Sequence, residues 1–246
     1  MSRGVGVTSW LIDSQPAWAP SVFELLSLPG DLLVLITTLG LCYLVSVREE
    51  LKTGRPSTDT ARLCPDRTAA MIAIVLGGLA LIVLLESLFG LSRPPTDWHA
   101  VSASEYGFPS GHTMAATILW GAIAGWATVG SQYHRYGVVT IIVSLVGFSR
   151  LALGVHYVVD VVAGVGFGVS YLLISSRIAQ NTPARAFLVA LLIAGNAVVV
   201  TGGNERALLA LGGTIGSAVG WWAIERPVVK QQLRHHTNMR LRGKNE

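Results

Sequence analysis

Three short polar clusters interrupt an otherwise apolar chain: Arg93-Pro94, Pro109-Ser110-Gly111-His112, and Ser149-Arg150 followed by His156 and Asp160. Their residue types suit chemistry on an oxyanion. Arg93 and Arg150 are permanent cations whose planar donor forks match phosphate oxygens. Ser110 stands where it can cap a following helix, and Gly111 lets backbone approach a ligand closely. Free N–H groups at that helix start favour an anion. His112, in the first turn, is placed to exchange a proton with a leaving oxygen. His156 and Asp160 are four apart, so on a helix they share a face. A carboxylate there can hold one imidazole nitrogen as N–H and present the other as a nucleophile. Gly154 gives the chain room to turn between Arg150 and His156. Singly, each feature has a plainer reading: an anchoring arginine, a structural histidine, a turn. In this order, near one interface, they describe a site.

The elements that must position these groups are membrane helices. The 246 residues are 51% hydrophobic and 13% charged, where a soluble domain carries about 25% charged residues. Apolar runs occupy roughly 32–47, 71–91, 114–129, 138–153, 158–174, 186–201 and 207–224. Backbone cannot stay unpaired in lipid, so each run is expected to be helical. The expectation is an all-α, polytopic bundle of about seven spans, six being the alternative. Residues 20–26 suit a short interfacial helix, with Trp10 and Trp18 at headgroup depth. Small-residue spacings at Gly121/Gly125, Gly164/Gly168 and Gly212/Gly216/Gly220 mark helix packing, expected within one bundle. Cys42 lies in an apolar run and Cys64 in a charged loop, so two free thiols are expected. No secretory signal peptide is evident.

Orientation follows the basic residues. With seven spans, one side holds Arg3, Arg93, Arg150 and Arg206, and the other holds the remaining fourteen of the 18 Lys and Arg. With six spans the split becomes ten against eight, so the asymmetry favours seven. It places the N-terminus outside, the C-terminus in the cytoplasm and all three polar clusters at the extracytoplasmic end. The chain divides into an N-terminal segment 1–31, a membrane-embedded domain 32–224 with its motif core at 86–160, and a basic tail 225–246. That tail reads as a topology signal or a contact for anionic lipid. A nucleic-acid partner has no support beyond net charge.

On these motifs the chain resembles the type 2 phosphatidic acid phosphatase family, which shares its site with vanadium haloperoxidases and bacterial acid phosphatases. The family's motifs are Lys-x6-Arg-Pro, Pro-Ser-Gly-His and Ser-Arg-x5-His-x3-Asp. The second and third stand intact here. The resemblance implies hydrolysis of phosphate esters without a metal or cofactor. It implies His156 as nucleophile, Asp160 as its orienter, and His112 as general acid and then base. Arg93, Arg150, Ser110 and Gly111 would hold phosphate. The substrate is expected to be a membrane lipid phosphate, phosphatidate-like or a polyprenyl mono- or diphosphate. The connection 92–111, with Trp98, His99, Tyr106 and Phe108, is placed to cover the site.

The first motif departs from the pattern. Glu86 stands where the family has lysine, and no lysine occurs between Lys52 and Lys230. A carboxylate beside a phosphate repels it. The expectation is that Glu86 faces the cleft and pairs with Arg93 or His99. An active enzyme is the favoured reading, because every residue assigned to bond making and breaking is present. The alternatives are a catalytically impaired lipid-phosphate binder and a lipid transporter or scramblase. A haloperoxidase ranks below them, since those relatives are soluble. His134, His235 and His236 lie on the opposite side and receive no role.

Overall fold

The computed structural model describes residues 5–52 and 64–226. The basic tail beyond Arg226, with His235 and His236, lies outside the described residues. The described chain is all-α. Two short helices, α1 (Val5–Ser14) and α2 (Ala19–Ser27), precede α3 (Leu32–Lys52). Then come α4 (Asp66–Phe89), α5 (Gly111–Trp126), α6 (Gln132–Ala152), α7 (Val158–Ala179), α8 (Pro183–Val200) and α9 (Glu205–Ile224). The apolar runs and the short helix near 20–26 fall on α2 to α9. The helix α1 has no counterpart in the apolar pattern.

Local chemistry sets the helix ends. Asn204 caps α9, its side chain accepting from the Ala207 N–H at 2.9 Å, and Pro183 opens α8, where its missing N–H costs nothing. Ser110 occupies the N-cap position of α5, but its hydroxyl does not cap the backbone. It pairs with the Thr113 hydroxyl at 2.9 Å instead. The capping expected of Ser110 is therefore corrected: a neighbouring hydroxyl one turn on competes for the same oxygen.

Among the described residues, six helices are long and apolar enough to cross a membrane: α3, α4, α6, α7, α8 and α9. The seventh, α5, has 16 residues, about 24 Å at the usual helical rise. It nevertheless runs beside α4 from end to end. Arg67, in the first turn of α4, donates Nη2–H to the Gly125 carbonyl at 2.6 Å. At the other end Glu86 lies against Gly111. Residues 113–119 of α5 are all buried. Enclosed by protein, α5 need not match the full apolar thickness of a bilayer.

Helix α4 lies at the centre, packed against α5, α8 and α9. Its Val75, Leu76 and Ile82 join Met114, Ile118 and Leu119 of α5 and Tyr171 of α7 in the main core cluster. Helices α5 and α7 touch closely because glycine removes the obstacle: a Cβ on Gly164 would stand 2.8 Å from the Ser110 carbonyl oxygen. Gly121 packs on Leu172 and Gly168 on Thr117. The Gly212/Gly216/Gly220 stripe does not pack inside the bundle, for nothing lies within 4 Å of a Cβ built there. Gly212 and Gly216 are exposed on α9, and Gly220 borders a cavity with Tyr43, Phe187 and Trp221. Both cysteines are free. Burial, with Glu225 and Asp66 nearby, pushes the Cys64 thiol up to about 12, which leaves it unreactive as a nucleophile.

Candidate active site

The C-terminal end of α4, the N-terminal end of α5 and the α6–α7 turn meet at one end of the bundle, and the 91–110 connection folds over them. Gly107 N–H donates to the Leu91 carbonyl at 2.8 Å, closing that connection on itself. Ala100 N–H donates to the Leu153 carbonyl at 3.1 Å, tying it to the α6–α7 turn. Gly154 sits in that turn at φ +72°, with no space for a Cβ beside the Trp98 carbonyl. Both its backbone conformation and this approach require glycine. Ser110 N–H donates to the Asp160 carbonyl at 2.9 Å, joining the second and third clusters.

His156 is 1% exposed, and its tautomer can be derived. Arg93 Nη1 lies 2.9 Å from His156 Nε2. A guanidinium only donates, so Nε2 accepts and carries the lone pair. The proton is then on Nδ1, which donates to the Gly107 carbonyl at 2.8 Å. Asp160 stands further off, with Oδ2 3.6 Å from Nδ1, and it accepts from the Tyr157 N–H at 2.8 Å. The carboxylate anchors the helix start, while a backbone carbonyl makes the direct contact with the ring. Burial, together with Arg93 and Arg150, pushes His156 down to about 4 against the pull of Asp160. The ring is neutral at pH 7.

The other expected residues converge on this ring. Arg93 also donates Nη1–H to the Val155 carbonyl at 2.9 Å, Nη2–H to the Ser104 hydroxyl at 2.8 Å, and Nε–H to the Ser104 carbonyl. Arg150 is 5% exposed, and its Nε has no hydrogen-bond partner among the described residues. The charged or titratable groups acting on His112 are Arg150, His156, Arg93 and Arg206. Two imidazoles and three guanidinium groups thus share one end of the bundle.

The pairing expected of Glu86 is corrected. Glu86 is 3% exposed, and its Oε2 accepts from Arg206 Nη1 at 2.6 Å. Ser104, Val155 and His156 engage four of the five N–H donors of Arg93, and Arg93 acts on Glu86 only through its charge. His99 places Nε2 3.1 Å from the Pro94 carbonyl. Glu86 does face the site: its Oε1 would lie 2.8 Å from a Cβ on Gly111.

Two features escaped sequence reasoning. Arg206 is 120 residues from its partner, and the one available signal was an intramembrane acid in need of a cation. Helix α1 was the other. Thr8, fully buried, donates to the His156 carbonyl at 3.3 Å, and Gln15 Nε2–H donates to the Ala152 carbonyl at 3.1 Å.

This is a bundle of apolar helices with imidazole and guanidinium groups gathered at one end. Residues 67–184 match the family model described as PAP2 superfamily, a stretch containing Glu86 and all three polar clusters. That stretch is a little under half of the chain, and over it the chain is similar to the PAP2 superfamily. It is 36% identical over 75 residues to a protein named lipid phosphate phosphatase delta from Arabidopsis thaliana, covering 28% of this chain and 18% of that one. It is 38% identical over 74 residues to phosphatidylglycerophosphatase B of Bacillus subtilis (strain 168), covering 28% of this chain and 36% of that one. Both matches therefore span well under two thirds of the relative's length. The crystal structure of a transmembrane PAP2-type phosphatidylglycerolphosphate phosphatase from Bacillus subtilis superposes with a TM-score of 0.59 at 21% identity. That match covers 71% of this chain and 83% of the other, and it shows a shared fold. Together with six apolar helices, it makes this a multi-pass membrane protein.

Proposed function

We propose that this protein hydrolyses lipid phosphates through a phosphohistidine on His156, without a metal ion. The observation that carries the proposal is the state of His156. Its Nε2 lone pair points at a guanidinium, its Nδ1–H is held by Gly107, and burial keeps it neutral. A phosphoryl group entering between Nε2 and Arg93 exchanges one hydrogen bond for a charge-assisted one. Nε2 then attacks phosphorus and the ester P–O bond breaks. His112 gives its proton to the departing oxygen. Water next attacks the phosphohistidine, His112 takes a proton from it, and the P–N bond breaks to release phosphate and restore His156. Arg93, Arg150, Ser110 and Gly111 hold the phosphoryl oxygens, and Asp160 steadies the turn carrying His156.

The substrate in this proposal is amphiphilic, with its headgroup at the end of the bundle and its tails in lipid. Phosphatidate-like lipids and polyprenyl mono- or diphosphates have that shape, and the relatives' names point to lipid phosphates. The basic-residue asymmetry supports a site facing outside, with the N-terminus outside and the C-terminus in the cytoplasm. A transporter or scramblase would be expected to gather polar groups near mid-membrane, whereas here they gather at one end.

The test is phosphate release from dioleoyl phosphatidate in detergent mixed micelles by the full chain. Wild type turns over with or without EDTA, and His156→Ala loses about 10⁴-fold or more, as removal of a nucleophile does. Phosphate trapped from labelled substrate is acid-labile and absent in that variant. Near-native turnover by His156→Ala, or activity lost to EDTA and restored by Mg²⁺, would overturn the proposal.

A further inference from the structure

We propose that Arg206, held in place by Glu86, is an additional substrate-phosphate-binding residue, and that the pair replaces the missing first-motif lysine with a cation from α9. This rests on the phosphatase reading of the same site.

The geometry gives Glu86 two neighbours. Oε1 lies against Gly111 of the Pro-Ser-Gly-His segment, and Oε2 holds Arg206 Nη1 at 2.6 Å. The carboxylate therefore spans the distance between the start of α5 and the guanidinium. Arg206 makes no other hydrogen bond among the described residues, and its side chain is 49% exposed. Four of its five N–H donors remain for a ligand at the rim. Its charge acts on both Arg93 and His112, so it lies within electrostatic range of the groups assigned to the reaction.

Stability alone does not account for the pair. Arg206 is in the first turn of α9, where a cation opposes the helix dipole. Glu86 is buried at a point where an apolar residue would cost less, since ion pairs removed from water seldom repay their desolvation. Phosphate binding accounts for both. With Glu86 neutralised by Arg206, repulsion of the incoming phosphate is cancelled, and the remaining guanidinium donors supply the attraction. Glu86 is then a positioning residue and Arg206 a binding residue.

The test uses the full chain in detergent, with dioleoyl phosphatidate micelles for kinetics and orthovanadate for binding. Arg206→Ala raises KM about tenfold or more, the loss expected for one charge-assisted contact, while kcat changes less. It weakens vanadate inhibition by a similar factor. Because Arg206→Ala leaves a buried carboxylate unpaired, Glu86→Gln with Arg206→Ala is the folded control, and it keeps the KM defect. Glu86→Lys with Arg206→Ala restores a cation from the motif position and recovers KM to within about threefold of wild type. Wild-type KM and vanadate sensitivity in the Gln/Ala double variant would overturn the proposal, as would a folded Lys/Ala variant without recovery. If wild type shows no turnover on any lipid phosphate, the phosphatase reading fails by itself. Thermal stabilisation by vanadate then decides the Arg206 proposal: lost in the Gln/Ala variant it stands, undiminished it falls.

Discussion

The two ends of the bundle use polar groups in opposite ways. At the end away from the site, the main contacts tie helices, or the segments flanking them, to one another. Arg67 donates to the Gly125 carbonyl, Thr68 joins the Ser46 hydroxyl at 3.0 Å and the Trp126 indole N–H at 3.1 Å, and Cys64 N–H donates to Glu225 at 3.2 Å. At the site end, Arg206 pairs with Glu86, Glu86 and Asp160 act on Arg93, and Asp31 and Glu24 act on Arg150, yet among the described residues Arg150 Nε has no acceptor. Buried positive charge short of an acceptor, as at Arg150, costs stability. A fold retains it where an anion completes the arrangement.

Removing one arginine from each end tests that contrast and carries the largest expected effect. Arg150→Ala lowers kcat/KM on dioleoyl phosphatidate by about 10²–10³-fold, roughly 3–4 kcal/mol of lost transition-state contact. Its thermal stability in detergent holds or rises, because a buried charge short of partners is gone. Arg67→Ala does the reverse. It loses about 1–2 kcal/mol of stability with the hydrogen bond to Gly125 and keeps kcat/KM within about threefold. Equal activity losses in both variants would erase the distinction between the ends.

The same contrast explains what could be read from the residues alone. Helices α3 to α9 were legible because lipid demands long apolar runs, and their ends fall near glycine, proline and charge. The convergence of Arg93, Ser110, His112, Arg150, His156 and Asp160 was legible because motif order and alternating spans put them at one end. What was not legible depends on distance in sequence. Nothing near Glu86 names Arg206 as its partner, and nothing near His156 names Gly107 as the acceptor that sets its tautomer. Ser110 looked like a cap because local rules cannot anticipate a competing hydroxyl at Thr113. Helix α1, ten residues long, is too short for its apolar pattern to stand out.

The second test sharpens the comparison through pH. His156, enclosed by Asp160, Arg93 and Arg150, titrates at about 4 in the fold against an ordinary 6.5. The folded state thus binds fewer protons than the unfolded one between those values. The contribution to stability is complete above pH 6.5 and is lost progressively as pH falls to about 4, on the order of 3 kcal/mol in all. Thermal unfolding in detergent at pH 7, 5.5 and 4 reads it. His156→Gln, with nothing to titrate at that position, loses less over the interval than wild type. Identical profiles for the two proteins would mean that the ring is not held neutral by burial, and the site end would lose its main difference from a solvated surface.

The smallest effect asks where the site end stops. Thr8 and Ser9 are neighbours on α1, each with a hydroxyl donating to a carbonyl. Thr8 reaches the His156 carbonyl from a fully buried position, while Ser9 reaches Gly6 three residues back from a half-buried one. Thr8→Val keeps shape and removes one hydrogen bond, worth about 1 kcal/mol. Because that bond supports the backbone of the proposed nucleophile, the expected loss is a few-fold in kcat with KM unchanged. Ser9→Ala changes neither. If Thr8→Val lowers stability without touching kcat, α1 is cover for the bundle, and the catalytic end begins at the α6–α7 turn. A fall in kcat makes α1 part of the machinery that holds His156 in line with Arg93, even though its sequence carries none of the chemistry.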